Sequence, residues 1–96
     1  MSAETPAGAS ANEEALQRVL AVKARYESEL MRKANVIGVG VGFREKSGHL
    51  TDEITIVVNV THKLPYGQLA PEDFVPREIE GIPVDVREIG EIRSQS

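Results

Sequence analysis

The groups in this chain that could do chemistry are few: two histidines, scattered hydroxyls and carboxylates, and no cysteine. The absence of cysteine excludes disulfides, thiolate metal sites and a cysteine nucleophile, and it leaves the redox compartment open. His49 falls in a turn and His62 at the far end of the strand that follows. At about 3.3 Å per residue the two imidazoles stand tens of ångströms apart in one chain, so a shared metal site would need a second subunit. Ser28, Ser47 and Thr61 have no histidine and carboxylate at triad spacing, which argues against nucleophilic catalysis. The run Gly38-Val39-Gly40-Val41-Gly42 is G-x-G-x-G inside a strand. A dinucleotide fingerprint is G-x-G-x-x-G opening a helix, with an acidic residue about 20 positions on. Glu72, Asp73, Glu78 and Glu80 read as a solvated acidic surface, because a Ca²⁺ loop needs oxygen ligands at alternating positions. Asp85, between Val84 and Val86, reads as solvent-facing on an alternating strand, with pairing or ligand binding as the alternative. The expectation is therefore no catalytic residue, no metal, no cofactor and no enzymatic activity.

The glycine run says more about contact than about catalysis. Side chains alternate across a strand, so Ile37, Val39, Val41 and Phe43 line one face while Gly38, Gly40 and Gly42 leave the other nearly bare. Glycine inside a strand costs entropy and packs nothing, so three on one face imply that something approaches the backbone closely. Ile54, Ile56, Val58 and Val60 alternate with Thr55, Val57, Asn59 and Thr61 in a second strand. Folding the chain at Gly48-His49 as a type II′ turn sets Phe43 opposite Ile54, Val41 opposite Ile56, Val39 opposite Val58 and Ile37 opposite Val60. Arg44 then faces Glu53 and Glu45 faces Asp52, while Gly38, Gly40 and Gly42 oppose Asn59, Val57 and Thr55. Those six residues are the predicted interaction surface.

Ahead of the hairpin, residues 1–10 read as a disordered tail. Ser10 and Glu13 form an S-x-x-E capping box that opens a helix running to about Lys33. Ala15, Val19, Val22, Tyr26 and Leu30 recur every three or four residues as one apolar stripe, with Leu16, Leu20 and Met31 widening it on one side. Asn35 is the expected stop. After Lys63, Leu64-Pro65-Tyr66-Gly67 reads as a turn. Pro71 and Pro76 each sit where a short helical turn could begin, and Gly81 suits the left-handed residue that closes one. Leu69, Phe74 and Ile79 are the expected anchors of this crossover. Ile82-Pro83-Val84-Asp85-Val86-Arg87 alternates again, and Pro83 places it at a sheet edge or a strand start. The prediction is an α+β domain over residues 11–90, with residues 91–96 a flexible tail. One long N-terminal helix covers a small, mainly antiparallel sheet of about three strands.

Ninety-six residues, 41% hydrophobic and 27% charged, bound a single small domain. The net charge is −4, from 15 acidic and 11 basic side chains. All of the acidic excess lies beyond Val36, which argues against a nucleic-acid partner, since phosphate binding needs a basic face. No apolar run approaches the 18 or so residues of a membrane span, and the N-terminus lacks the basic and apolar regions of a signal peptide. A cytoplasmic location is the default expectation.

Three connected strings, NVIGVGVGF, TDEITIVVNVTHKLP and VPREIEGIPVDVREIG, carry a resemblance that covers roughly residues 36–90. Together they resemble the N-terminal region preceding the catalytic domain in a group of bacterial trypsin-like serine proteases, and the related plant narrow-leaf proteins. The catalytic domain of that family lies beyond the resemblance, so no triad position carries over to this chain. Two functions stay open. One is a non-catalytic interaction or assembly module, working as a homo-oligomer or with a protein partner, docked through the glycine face and the wide helix stripe. The other is a small-ligand-binding domain using Asn59, Thr61 and Asp85. A pocket of about 300 Å³ or more beside Asn59 and Thr61 would favour the second.

Overall fold

A helix with one apolar stripe and a hairpin with one apolar face must bury each other, and the order of elements follows from that. The structure is a computed structural model that describes residues 7–90. The tail assigned to residues 1–10 lies partly, and that assigned to residues 91–96 wholly, outside the described residues. Helix α1 spans Ala7–Met31 and is followed by β1, Val36–Lys46, and β2, His49–Val60. A crossover with 3₁₀ turns at Tyr66–Gln68 and Pro71–Asp73 leads to β3, Glu78–Ile79, and β4, Ile82–Glu88. The sheet is four-stranded in the order β1-β2-β4-β3.

Val19, Val22 and Leu30 of the helix stripe are buried, with Tyr26 packed beside them. They meet Ile56, Val58, Val60, Ile82 and Val84 from the sheet, with Val39, Val41, Ile54 and Val86 at the margin. Each fully buried aliphatic side chain contributes about 1.5–3 kcal/mol of transfer free energy, so this layer dominates stability. Asn35 ends the helical region in the left-handed conformation, φ 70°. Its carbonyl accepts from Thr61 N at 2.9 Å, tying the helix exit to the end of β2. Ser10 lies within α1 rather than at its cap, because the helix begins three residues earlier, at Ala7.

The hairpin register holds where it matters and slips at both ends. Val39↔Val58, Val41↔Ile56 and Phe43↔Ile54 pair as expected, and so do Gly38↔Asn59, Gly40↔Val57 and Gly42↔Thr55. A bulge at Ile37 moves Val60 opposite Val36 instead. A second irregularity past Phe43 sets Glu45 opposite Leu50 and Lys46 opposite His49. The turn is therefore Ser47-Gly48, not Gly48-His49. Both residues have positive φ, 51° and 80°, which is the type I′ geometry that matches strand twist. Thr51 fills the second irregularity: its hydroxyl donates to Arg44 O at 2.8 Å and accepts from Glu53 N at 3.2 Å. Arg44 still reaches Glu53, at 3.1 Å, despite the lost register.

Two further expectations are revised. The Val75-Pro76-Arg77-Glu78 stretch is not a helical turn. It runs extended into β3, and Glu80-Gly81 (φ 52° and 82°) forms a second I′ turn that pairs Ile79 with Ile82. Paired in this way, Ile79 is buried in the core. β4 joins β2 in parallel, so the sheet is mixed. A parallel pair needs a connection of a dozen residues or more, and the long crossover supplies it. Pro83 sits at the start of β4, where pairing with β2 begins only at Val84.

Candidate interaction surface

The face away from α1 carries the predicted surface, and β4 adds two side chains to it that the hairpin alone could not show. In the parallel register Asp85 lies beside Val57 and Arg87 beside Asn59. Asp85 is not solvent-facing. Its side chain is 17% exposed, and Oδ2 accepts from Glu45 N at 2.8 Å and from Arg87 Nη2 at 3.4 Å. Arg87 Nη2 also donates to Phe43 O at 2.6 Å, while its Nε is buried without a hydrogen-bond partner. The upper end of β1 is thus held against β4 by a charged pair reaching over β2. Hydrogen bonds to charged groups contribute about 1.5–3 kcal/mol each where water is partly excluded.

That arrangement divides the three glycines. A Cβ on Gly42 would lie 3.1 Å from Val57 Cγ2 and within 4 Å of the Arg87 guanidinium, so Gly42 is bare because this chain's own side chains lie over it. A Cβ on Gly38 would make ordinary contact with Asn59, at 3.6 Å from Nδ2. One on Gly40 would meet nothing within 4 Å. Thr55 and Val57 are buried beneath this face, Thr55 donating to Pro83 O and Val57 lying against Gly42. Of the crossover, Ile79 belongs to the helix-side core with Val75 packed against it, while Pro76 and Arg77 border the groove beside Asp85 and Arg87.

A groove of about 520 Å³ runs along β4, past Asp85 and Arg87 and beside Arg44, Lys63 and Arg77. Asn59 and Thr61 are not among its lining residues; Thr61 Oγ1 is spent on Asn35 Oδ1 at 3.1 Å. The groove therefore does not assemble the three-residue ligand site considered from sequence. His62 stands 3.9 Å from Glu88, and His49 lies in the hairpin at the other end of β2. Among the described residues no three His, Asp or Glu side chains converge on a possible metal position.

On the helix side, Glu80 ties the second I′ turn to α1. Its carboxylate accepts from Arg25 Nη2 at 2.5 Å and Tyr26 Oη at 2.8 Å. The Arg25 hydrogen bond, followed by that from Tyr26, holds the Glu80 carboxyl below its ordinary range. The same carboxylate raises the Tyr26 phenol and the Arg25 guanidinium. Sequence reasoning missed this cluster because Gly81 was read as closing a helical turn rather than a hairpin. A glycine preceded by a polar residue between two isoleucines was the available signal.

One helix laid on a mixed four-stranded sheet, with a polar pair over the opposite face, defines a small α+β domain. It belongs to the NARROW LEAF 1 N-terminal domain family, whose model matches residues 11–89. No curated protein sequence matches the chain. Among the described residues no helix is long and apolar enough to cross a membrane.

Proposed function

We propose that this domain is a non-catalytic protein-interaction module, and that β1 with its glycine face is the surface it offers. The observation that carries the reading is Gly40, which stays bare although among the described residues nothing lies within 4 Å of where its Cβ would stand. A solvent-facing strand position ordinarily holds Thr, Lys or Glu, which cost less than glycine and discourage pairing with other chains. Membership of an N-terminal domain family supports a role beside other domains. The resemblance to the region preceding a trypsin-like catalytic domain makes such a domain one candidate partner. The ligand-binding alternative loses ground because Asn59 and Thr61 stand outside the groove that Asp85 lines.

Acyl transfer would need an activated nucleophile, a base within about 3 Å and an oxyanion hole. His62 sits beside Glu88 with no described hydroxyl bonded to it, and His49 lies at the hairpin turn. Assay of the purified chain on generic peptide and ester substrates tests the reading. The expected result is no turnover above buffer. Turnover that disappears on replacing His49 or His62 overturns it.

A further inference from the structure

β1 is an edge strand, and its outer side between the two irregularities has none of the devices that keep edges apart. No proline, no charge and no bulge interrupts residues 38–43, and among the described residues no other strand lies along that side. Exposed edges of this kind carry a row of main-chain donors and acceptors ready to pair with another strand. Past residue 43 the edge closes, because Phe43 O and Glu45 N are already held by Arg87 and Asp85. The open stretch is short, apolar and bounded.

The helix adds to it. Arg25 and Tyr26 point toward the β3–β4 turn, where both bond Glu80. At 100° per residue, Leu16, Leu20 and Met31 then fall on the opposite flank of α1, the flank over the β1 edge. They are exposed, at 37%, 40% and 42%, and Phe43 on β1 is 50% exposed. The connection between α1 and β1 is short, so the two elements run antiparallel. Met31 therefore lies near Val36 and Leu16 near Phe43, the two spans agreeing at about 23 Å each.

The geometry points to a second copy of this chain as the occupant, bound by antiparallel pairing of the two β1 edges about a two-fold axis at Gly40. The inference goes beyond the proposed contact face: it uses the outer edge of β1 and leaves the space above Gly40 open. In that register Gly40 faces Gly40, Val39 faces Val41 and Gly38 faces Gly42 across the open stretch. Every apolar side chain meets another on the helix face. No charged residue lies within the paired stretch, so no like charges oppose each other. The axis stands perpendicular to the sheet, so both helices lie on the same face. α1 packs over β1 and β2, which places it about 5 Å from the axis and the two helices roughly 10 Å apart, a normal packing distance. Leu16 and Leu20 of one copy then meet Met31 of the other. A specific interface has to bury on the order of 1,000 Å², and the strand edge with these exposed flanks is the apolar surface this side of the molecule offers for it. An extended segment of another protein could pair with the same edge, but it would leave the exposed leucines of α1 uncovered.

The chain holds no cysteine, so one introduced thiol reports the register. Gly40→Cys has room for its Cβ and should cross-link two copies under mild oxidation, because directly opposed positions lie about 5 Å apart. Gly38→Cys, whose partner is Gly42, should not. Sedimentation equilibrium of the full chain should give a dimer of twice 10.5 kDa. Gly40→Lys should weaken that dimer at least tenfold, with a melting temperature that matches the parent's at concentrations too low for pairing. A dimer that cross-links through Gly38→Cys but not Gly40→Cys, or that survives Gly40→Lys, overturns this pairing and leaves the contact-module reading standing. A chain that is monomeric at every concentration overturns self-pairing as well, and the turnover assay judges the module reading separately.

Discussion

The two ends of β1 carry the same glycine spacing and put it to different uses. At the upper end, Gly42 is bare because Val57 and Arg87 lie over it, and Arg87 and Asp85 lock the neighbouring main chain. Two residues away, among the described residues, Gly40 is bare with nothing within 4 Å of its Cβ position, and the outer edge beside it carries no strand. One repeated residue type therefore marks an internal fit at one position and an unfilled contact at another. A run of glycines in a strand is a question asked separately at each position. The answer comes from strands distant in sequence.

The largest expected effect lies beneath both ends. Ile56 is fully buried between α1 and the sheet, and Ile56→Asp should cost about 4 kcal/mol or more in urea unfolding, by placing an unpaired charge in the core. A loss below about 1 kcal/mol would mean that this layer does not hold the two ends of β1 together.

Next comes the contrast between the glycines. Gly42→Val should lose about 1–3 kcal/mol, because a Cβ there stands 3.1 Å from Val57 Cγ2 and within 4 Å of the Arg87 guanidinium, so Val57 or Arg87 must shift to admit it. Gly40→Val should stay within about 0.5 kcal/mol of the parent or gain slightly from the better strand propensity. Equal losses at both positions would erase the distinction. Arg87→Met tests the lock directly. It should destabilise by about 1–3 kcal/mol and speed amide exchange at residues 43–46, with no change at residues 38–40.

The smallest effect is electrostatic and concerns the flank of α1 that is tied down, as opposed to the flank that is bare. The Glu80 carboxyl titrates lower in the folded chain than in the unfolded one, so its contribution is present above the ordinary carboxylate range and is lost as pH falls through the folded value. The Tyr26 phenol titrates higher when folded, so its contribution is complete below about pH 10 and is lost as pH rises through the folded value. Melting temperatures of the parent and Glu80→Gln should differ modestly at neutral pH and converge in acid, while in alkali only the share carried by Tyr26 is lost because Arg25 stays charged. A difference that persists in acid would assign the effect to packing rather than charge.

Local pattern was enough for the helix stripe, the central hairpin register and the alternation of β4, because each is written within a dozen residues. Val39, Val41, Ile56 and Val58 could pair in only one way without turning apolar side chains to the wrong face. The bulges, the I′ turn at Ser47-Gly48 and the two-residue β3 were not legible. Each is settled by twist and by partners supplied from elsewhere in the chain. Asp85 was misread for the same reason: alternation says which face a side chain takes but not that Glu45 N and Arg87 wait there.

The parallel pairing of β2 with β4 also sets an order of events in time. α1, β1 and β2 are contiguous and joined by short connections, so their contacts close small loops at low entropic cost. β4 can join only after the whole crossover has been closed, a cost that grows with the logarithm of its length. Until then β2, the most apolar strand, has its second edge unpaired. The nascent domain passes through a stage in which the second edge of β2 is open, and pulse-labelled amide exchange during refolding should protect residues 54–58 before residues 84–88.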